Sequence, residues 1–153
     1  MSLFESFRVL IAEFGESGKH PSRFDENDYR LAAAALLVHT ASIDGAMSEA
    51  ERSKLHTIIK QRFALDDETT DELVSEAAEA EQQATDLYQF TARLNRSLDE
   101  AGRARVIEMM WQIVFADGGV TEFEDNLVWR AAELLGVSQH ERIALRRYVG
   151  GGN

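Results

Sequence analysis

Residues 36–51, LLVHTASIDGAMSEAE, and residues 109–124, MMWQIVFADGGVTEFE, decide how this chain is read. Both run from an apolar helical stretch into Asp-Gly, turn within a few residues, and restart as an amphipathic helix. Asp44-Gly45-Ala46-Met47-Ser48-Glu49-Ala50-Glu51 aligns with Asp117-Gly118-Gly119-Val120-Thr121-Glu122-Phe123-Glu124 at an offset of 73 residues, and both copies fit D-G-x-x-[ST]-E-x-E. A Ser or Thr with Glu three residues on is a capping box, in which each side chain bonds a backbone N–H at the other's end of the turn. Glycine after a helix supplies the left-handed residue that ends it. The second helix of each copy leaves through Phe63-Ala64-Leu65-Asp66 or Leu135-Gly136-Val137-Ser138, with a slip of one residue. Repeats of this size mean one supersecondary unit used twice, here a helical hairpin.

Outward from the repeat, helical periodicity continues. Leu3, Phe7, Leu10, Ile11 and Phe14 predict an amphipathic helix over 2–14, followed by a loop that holds Pro21. Asp25 is the expected N-cap of a helix reaching about Ile43, whose stretch Ala32 to Ala35 lets a neighbour approach closely. Ser48/Glu51, Ser97/Glu100, Thr121/Glu124 and Ser138/Glu141 predict four capping boxes, opening helices over about 49–63, 98–116, 122–135 and 139–148. Asp66 or Asp67 opens another to about Gln83, and a further one covers about 85–97. Trp111 and Trp129 fall in apolar stripes and are expected in the core. No segment alternates with period two for the length of a strand. The expectation is an all-α, single-domain bundle of about seven to eight helices, with pseudo-symmetric halves over about 25–65 and 98–148 behind an N-terminal segment, 1–24.

Composition narrows the function. The chain has 153 residues, 16 Lys plus Arg against 27 Asp plus Glu, a net charge of −11 and no Cys. Lack of Cys excludes disulfides, thiolate zinc sites and thiol catalysis. The acidic excess repels nucleic-acid phosphates and anionic lipid, so no nucleic-acid or membrane partner is expected. Nine acids and no basic residue lie between Arg62 and Arg93, a solvated helix face or a docking face for a basic protein partner. The longest apolar run, Leu31 to Val38, is far too short for a bilayer, and the N-terminus lacks a secretory pattern, so a cytoplasmic location is expected. Zincin, phosphate-loop and nucleophile-elbow strings are absent, which points away from an enzyme.

Capping explains Gly45, Gly118, Ser48, Thr121, Glu51 and Glu124. It does not explain Asp44 and Asp117, each placed at a helix end where the dipole disfavours a carboxylate by roughly 0.3–1 kcal/mol. A positive guest would compensate. Asp44, Glu51, Asp117 and Glu124 form a hard-oxygen set suited to Ca²⁺, Mg²⁺ or Mn²⁺, and less to Zn²⁺. The turn is not an EF-hand, because its third position is Ala46 or Gly119. The alternative is an interaction scaffold that uses its acidic surface without metal. His39, five residues before Asp44, reads as a hydrogen-bonded helix residue, or else as a ligand or a support to the turn.

At these residues the chain resembles the tellurite-resistance TerB family. Ile43-Asp44-Gly45 with Ser48-Glu49-Ala50-Glu51, Phe115-Ala116-Asp117-Gly118-Gly119-Val120-Thr121-Glu122-Phe123-Glu124, and Ala131-Ala132-Glu133-Leu134-Leu135-Gly136-Val137-Ser138 carry the resemblance, over about residues 25–148. It implies an all-α domain of two pseudo-symmetric halves in bacterial cytoplasm, a stress-response role, and metal binding through acidic residues. Carried over by position, the implied ligands are again Asp44, Glu51, Asp117 and Glu124.

Overall fold

The computed structural model describes Phe24, residues 28–43 and residues 45–151, apart from the Asp117 side chain. The helix expected over 2–14, the loop before Phe24, and Asp44 lie outside the described residues. Among those described there are seven α-helices and no strand. They are α1 (Tyr29–Ala41), α2 (Glu49–Arg62), α3 (Asp67–Gln83), α4 (Tyr88–Ser97), α5 (Glu100–Val114), α6 (Glu122–Leu135) and α7 (Gln139–Val149), with a 3₁₀ turn, Phe115–Asp117, after α5.

Two apolar helices form the centre. In α1 every residue from Ala32 to Val38 is buried, and in α5 every residue from Val106 to Trp111. A helix buried on all sides needs partners on all sides. Helix α1 packs on α2, α3, α4 and α5, while α5 packs on α1, α2, α6 and α7. The most extensive pairing is α1 with α3. There the small residues of α1 meet the thin stripe Leu73 and Ala77 of α3, both completely buried, so the acidic face of α3 stays in solvent. Trp111 is buried in the core, and its Nε1–H donates to the Arg142 carbonyl at 3.2 Å, tying α5 to α7.

Pairings α1–α2, α2–α3 and α1–α3 recur as α5–α6, α6–α7 and α5–α7. Among the described residues helix α4 has no counterpart, and it bridges α1 to α6. The two exits adopt one motif despite their sequence slip. Leu65 N–H donates to the Lys60 carbonyl at 3.0 Å, and Val137 N–H to the Ala132 carbonyl at 2.9 Å. The residue before each is left-handed, Ala64 at φ 53° and Gly136 at φ 72°. This is the helix-ending pattern that glycine usually serves.

Three details differ from the sequence expectation. Helix α1 is capped by Asp28, not Asp25: the Asp28 carboxylate accepts from the Arg30 backbone N–H at 2.9 Å and pairs with the Arg30 guanidinium at 2.7 Å. Helix α5 is capped by Asp99, which accepts from Gly102 N–H at 2.8 Å, so the Ser97/Glu100 box does not form. Trp129 is 44% exposed, because it lies beside the buried row Leu127, Val128, Ala131 and Leu135 rather than on it.

Alanine pays a steric penalty in the left-handed region of roughly 1–2 kcal/mol. Ala64→Gly is therefore expected to stabilise the protein by about 1 kcal/mol, and Gly136→Ala to destabilise it by about as much, in urea denaturation.

Candidate functional site

Both repeated turns are built alike. Gly45 and Gly118 have φ of 117° and 90°, a conformation that strains any other residue. The Gly45 N–H donates to the Ser42 carbonyl and the Gly118 N–H to the Phe115 carbonyl, each at 3.0 Å. Ser48 and Thr121 then cap α2 and α6 from extended backbone. Met47 and Val120, just before the caps, pack against the core and fix the direction of entry.

Reciprocal capping is confined to these two helix starts among those described. Ser48 N–H donates to Glu51 Oε1 at 2.9 Å, and Glu51 N–H to Ser48 Oγ at 3.0 Å. Thr121 N–H donates to Glu124 Oε1 at 2.9 Å, and Glu124 N–H to Thr121 Oγ1 at 3.1 Å. At the start of α7, Glu141 N–H donates to Ser138 Oγ at 3.1 Å without a return bond. Of the four expected boxes, then, the two with an Asp-Gly prefix are the two that close.

Burial sets these glutamates apart. Glu51 is 6% exposed and Glu124 3%. An N3 glutamate in an exposed first turn keeps its carboxylate hydrated, and these two do not. The third buried acid, Glu108, is neutralised by Arg105 at 2.7 Å and Arg62 at 3.3 Å. Glu51 makes no ion pair with any described Lys, Arg or His; its side chain accepts the single Ser48 N–H. The positive end of α2 offsets part of that charge, about half an elementary charge against one.

The copies lie crosswise. The 3₁₀ turn carrying Asp117 packs on α2, the helix whose first turn holds Glu51. Glu51 and Glu124 occupy the same position in similarly built turns. Among the described residues, no group of three or more His, Asp or Glu is arranged to hold a metal ion. The His39 Nδ1 lies 2.8 Å from Glu81 on α3. His56 contacts Asp67 and Asp71, each at 3.1 Å. Asp67 also meets Lys60 at 2.8 Å, and the Lys60 and then the His56 hydrogen bonds hold its carboxyl below the usual carboxylate range.

An all-α module with a duplicated acidic turn is the class that the fold and these corners define. The family of tellurite resistance protein TerB matches residues 30–147, and the chain belongs to it. No curated protein and no solved structure matches the chain. No described helix is long and apolar enough to cross a membrane.

Removing a cap typically costs about 1 kcal/mol. Thr121→Ala and Asp99→Ala are each expected to lower stability by about 0.5–2 kcal/mol, and Ser97→Ala to stay within about 0.5 kcal/mol, as read from urea midpoints.

Proposed function

We propose that the chain is a non-enzymatic, cytoplasmic stress-response module that binds a divalent cation at its repeated turns. Asp44, Glu51, Asp117 and Glu124 supply the carboxylates, with turn carbonyls and water completing an oxygen shell for Ca²⁺, Mg²⁺ or Mn²⁺. Zn²⁺ is less suited to a set without thiolate or imidazole. Membership of the tellurite-resistance family supports the setting. A binding module, not a catalyst, accounts for acids that are fixed by backbone caps.

One observation carries the reading: Glu51 is buried with one amide hydrogen bond and no cationic partner among the described residues. Leaving an ion buried without compensation costs several kcal/mol. The helix end compensates part, and the sequence adds a further acid, Asp44 or Asp117, to each neighbourhood. A dication removes the imbalance. Glu108 shows the other solution, two arginines, which this chain uses elsewhere.

Thermal melts with EDTA and then with each cation test this. A ligand at 100 times its Kd adds about 2.7 kcal/mol, several degrees for a chain of this size. Asp44→Asn and Asp117→Asn are each expected to melt in EDTA at or slightly above the parent and to lose about half or more of the cation-induced gain. Equal gains in parent and double variant, or none for any cation at millimolar levels, overturn the proposal.

A further inference from the structure

Two grooves occupy equivalent places in the two copies. One lies between the end of α1, the α3–α4 connection and α6, with a volume of about 520 Å³; the other lies between the end of α5, α2 and the end of α7. Positions 39, 43, 123, 126, 127 and 130 line the first, and positions 112, 116, 50, 53, 54 and 57, the same six at an offset of 73, line the second. The architecture is shared, but the lining is not. Phe123 and Leu127 of the first groove replace Ala50 and Lys54 of the second.

The first groove has become apolar while its edge is acidic. Phe123 and Tyr88 stand on opposite rims, 69% and 64% exposed, among the most exposed large apolar side chains described. Leu127 and Phe90 close the floor. On the α3–α4 side the groove carries Glu81 and Asp86, next to the acidic face of α3, where no basic residue occurs between Arg62 and Arg93. Arg130 lines the opposite wall and sets which edge of a guest is basic.

We propose that this groove docks an amphipathic helix of a partner protein, with an apolar ridge seated between Phe123 and Tyr88 and Lys or Arg along the edge that faces α3. The mode is helix-in-groove recognition, in which apolar anchors supply affinity and complementary charge supplies orientation and speed of association. It stands apart from cation binding at the buried glutamates, because neither Glu51 nor Glu124 lines the groove.

The test uses the full chain in EDTA, so that loss of cation binding leaves it untouched. The probe is a labelled helical peptide with Leu and Phe on one face and Lys and Arg beside them, read by fluorescence anisotropy. The control has the same residues scrambled. The patterned peptide is expected to bind about tenfold or more tighter than the scrambled one, and the Phe123→Ser, Tyr88→Ser double variant to lose about tenfold. Tyr148→Ser, on the rim of the second groove, is expected to change nothing. Binding is expected to weaken as salt rises. Equal binding of both peptides, or equal loss with Tyr148→Ser, overturns the proposal. So does a dimer in sedimentation that dissociates with Phe123→Ser, since a second copy is then the occupant. Tighter peptide binding on Leu10→Asp also overturns it, because the chain's own residues 2–14 then fill the groove.

Discussion

Each repeated turn reverses the chain between two helices that bury their contacts, and it does so within a few residues. Such a reversal leaves backbone N–H groups of the new helix without partners at a place where water is being excluded. A glutamate drawn back over the turn meets that need: Glu51 and Glu124 accept the N–H of Ser48 and Thr121 and are themselves buried. The fold thereby places two acids in the interior by the same act that starts α2 and α6. At Glu51 the helix end supplies only about half a positive charge against the full charge of the carboxylate.

The central pair follows from the same geometry. Because each turn is tight, α2 and α6 return alongside α1 and α5, and the apolar helices are left to be covered by α3 and α7. Small residues in α1 bring α3 close with little side-chain area, which is why a helix so acidic still packs on the core. Two kinds of surface result: a charged face on α3 and, where α4 bridges the halves, an apolar groove with aromatic rims.

Sequence reading succeeded where the cause is local. Helix α6 occupies the expected residues because Thr121 and Glu124 fix one end and Gly136 the other, all within hydrogen-bond reach of their own backbone. It failed where two local signals compete. Asp99 displaces Ser97 because a box opened at Ser97 would place Leu98, which is extended at φ −116° and ψ 148°, inside the helix. Trp129 falls outside the core because an apolar stripe read from spacing is wider than the strip that packing buries. Of the site, the alignment of the turns and the two caps was legible. The burial of Glu51, its lack of an arginine, and the crosswise approach of the Asp117 turn to α2 were not, because each depends on contacts between copies. The groove is not legible in the repeat for a related reason: its signal lies at positions where the copies do not match, Phe123 against Ala50 and Leu127 against Lys54.

The central claim is that buried carboxylates at the two turns are balanced by a dication, and paramagnetic broadening tests it most directly. Manganese added well below one equivalent to ¹⁵N-labelled full chain selectively broadens amides near wherever it binds. The account predicts loss of signal confined to residues 44–51 and 117–124, reversed by excess Mg²⁺ or Ca²⁺. Broadening that follows the acidic face of α3, with both turns untouched, would contradict it.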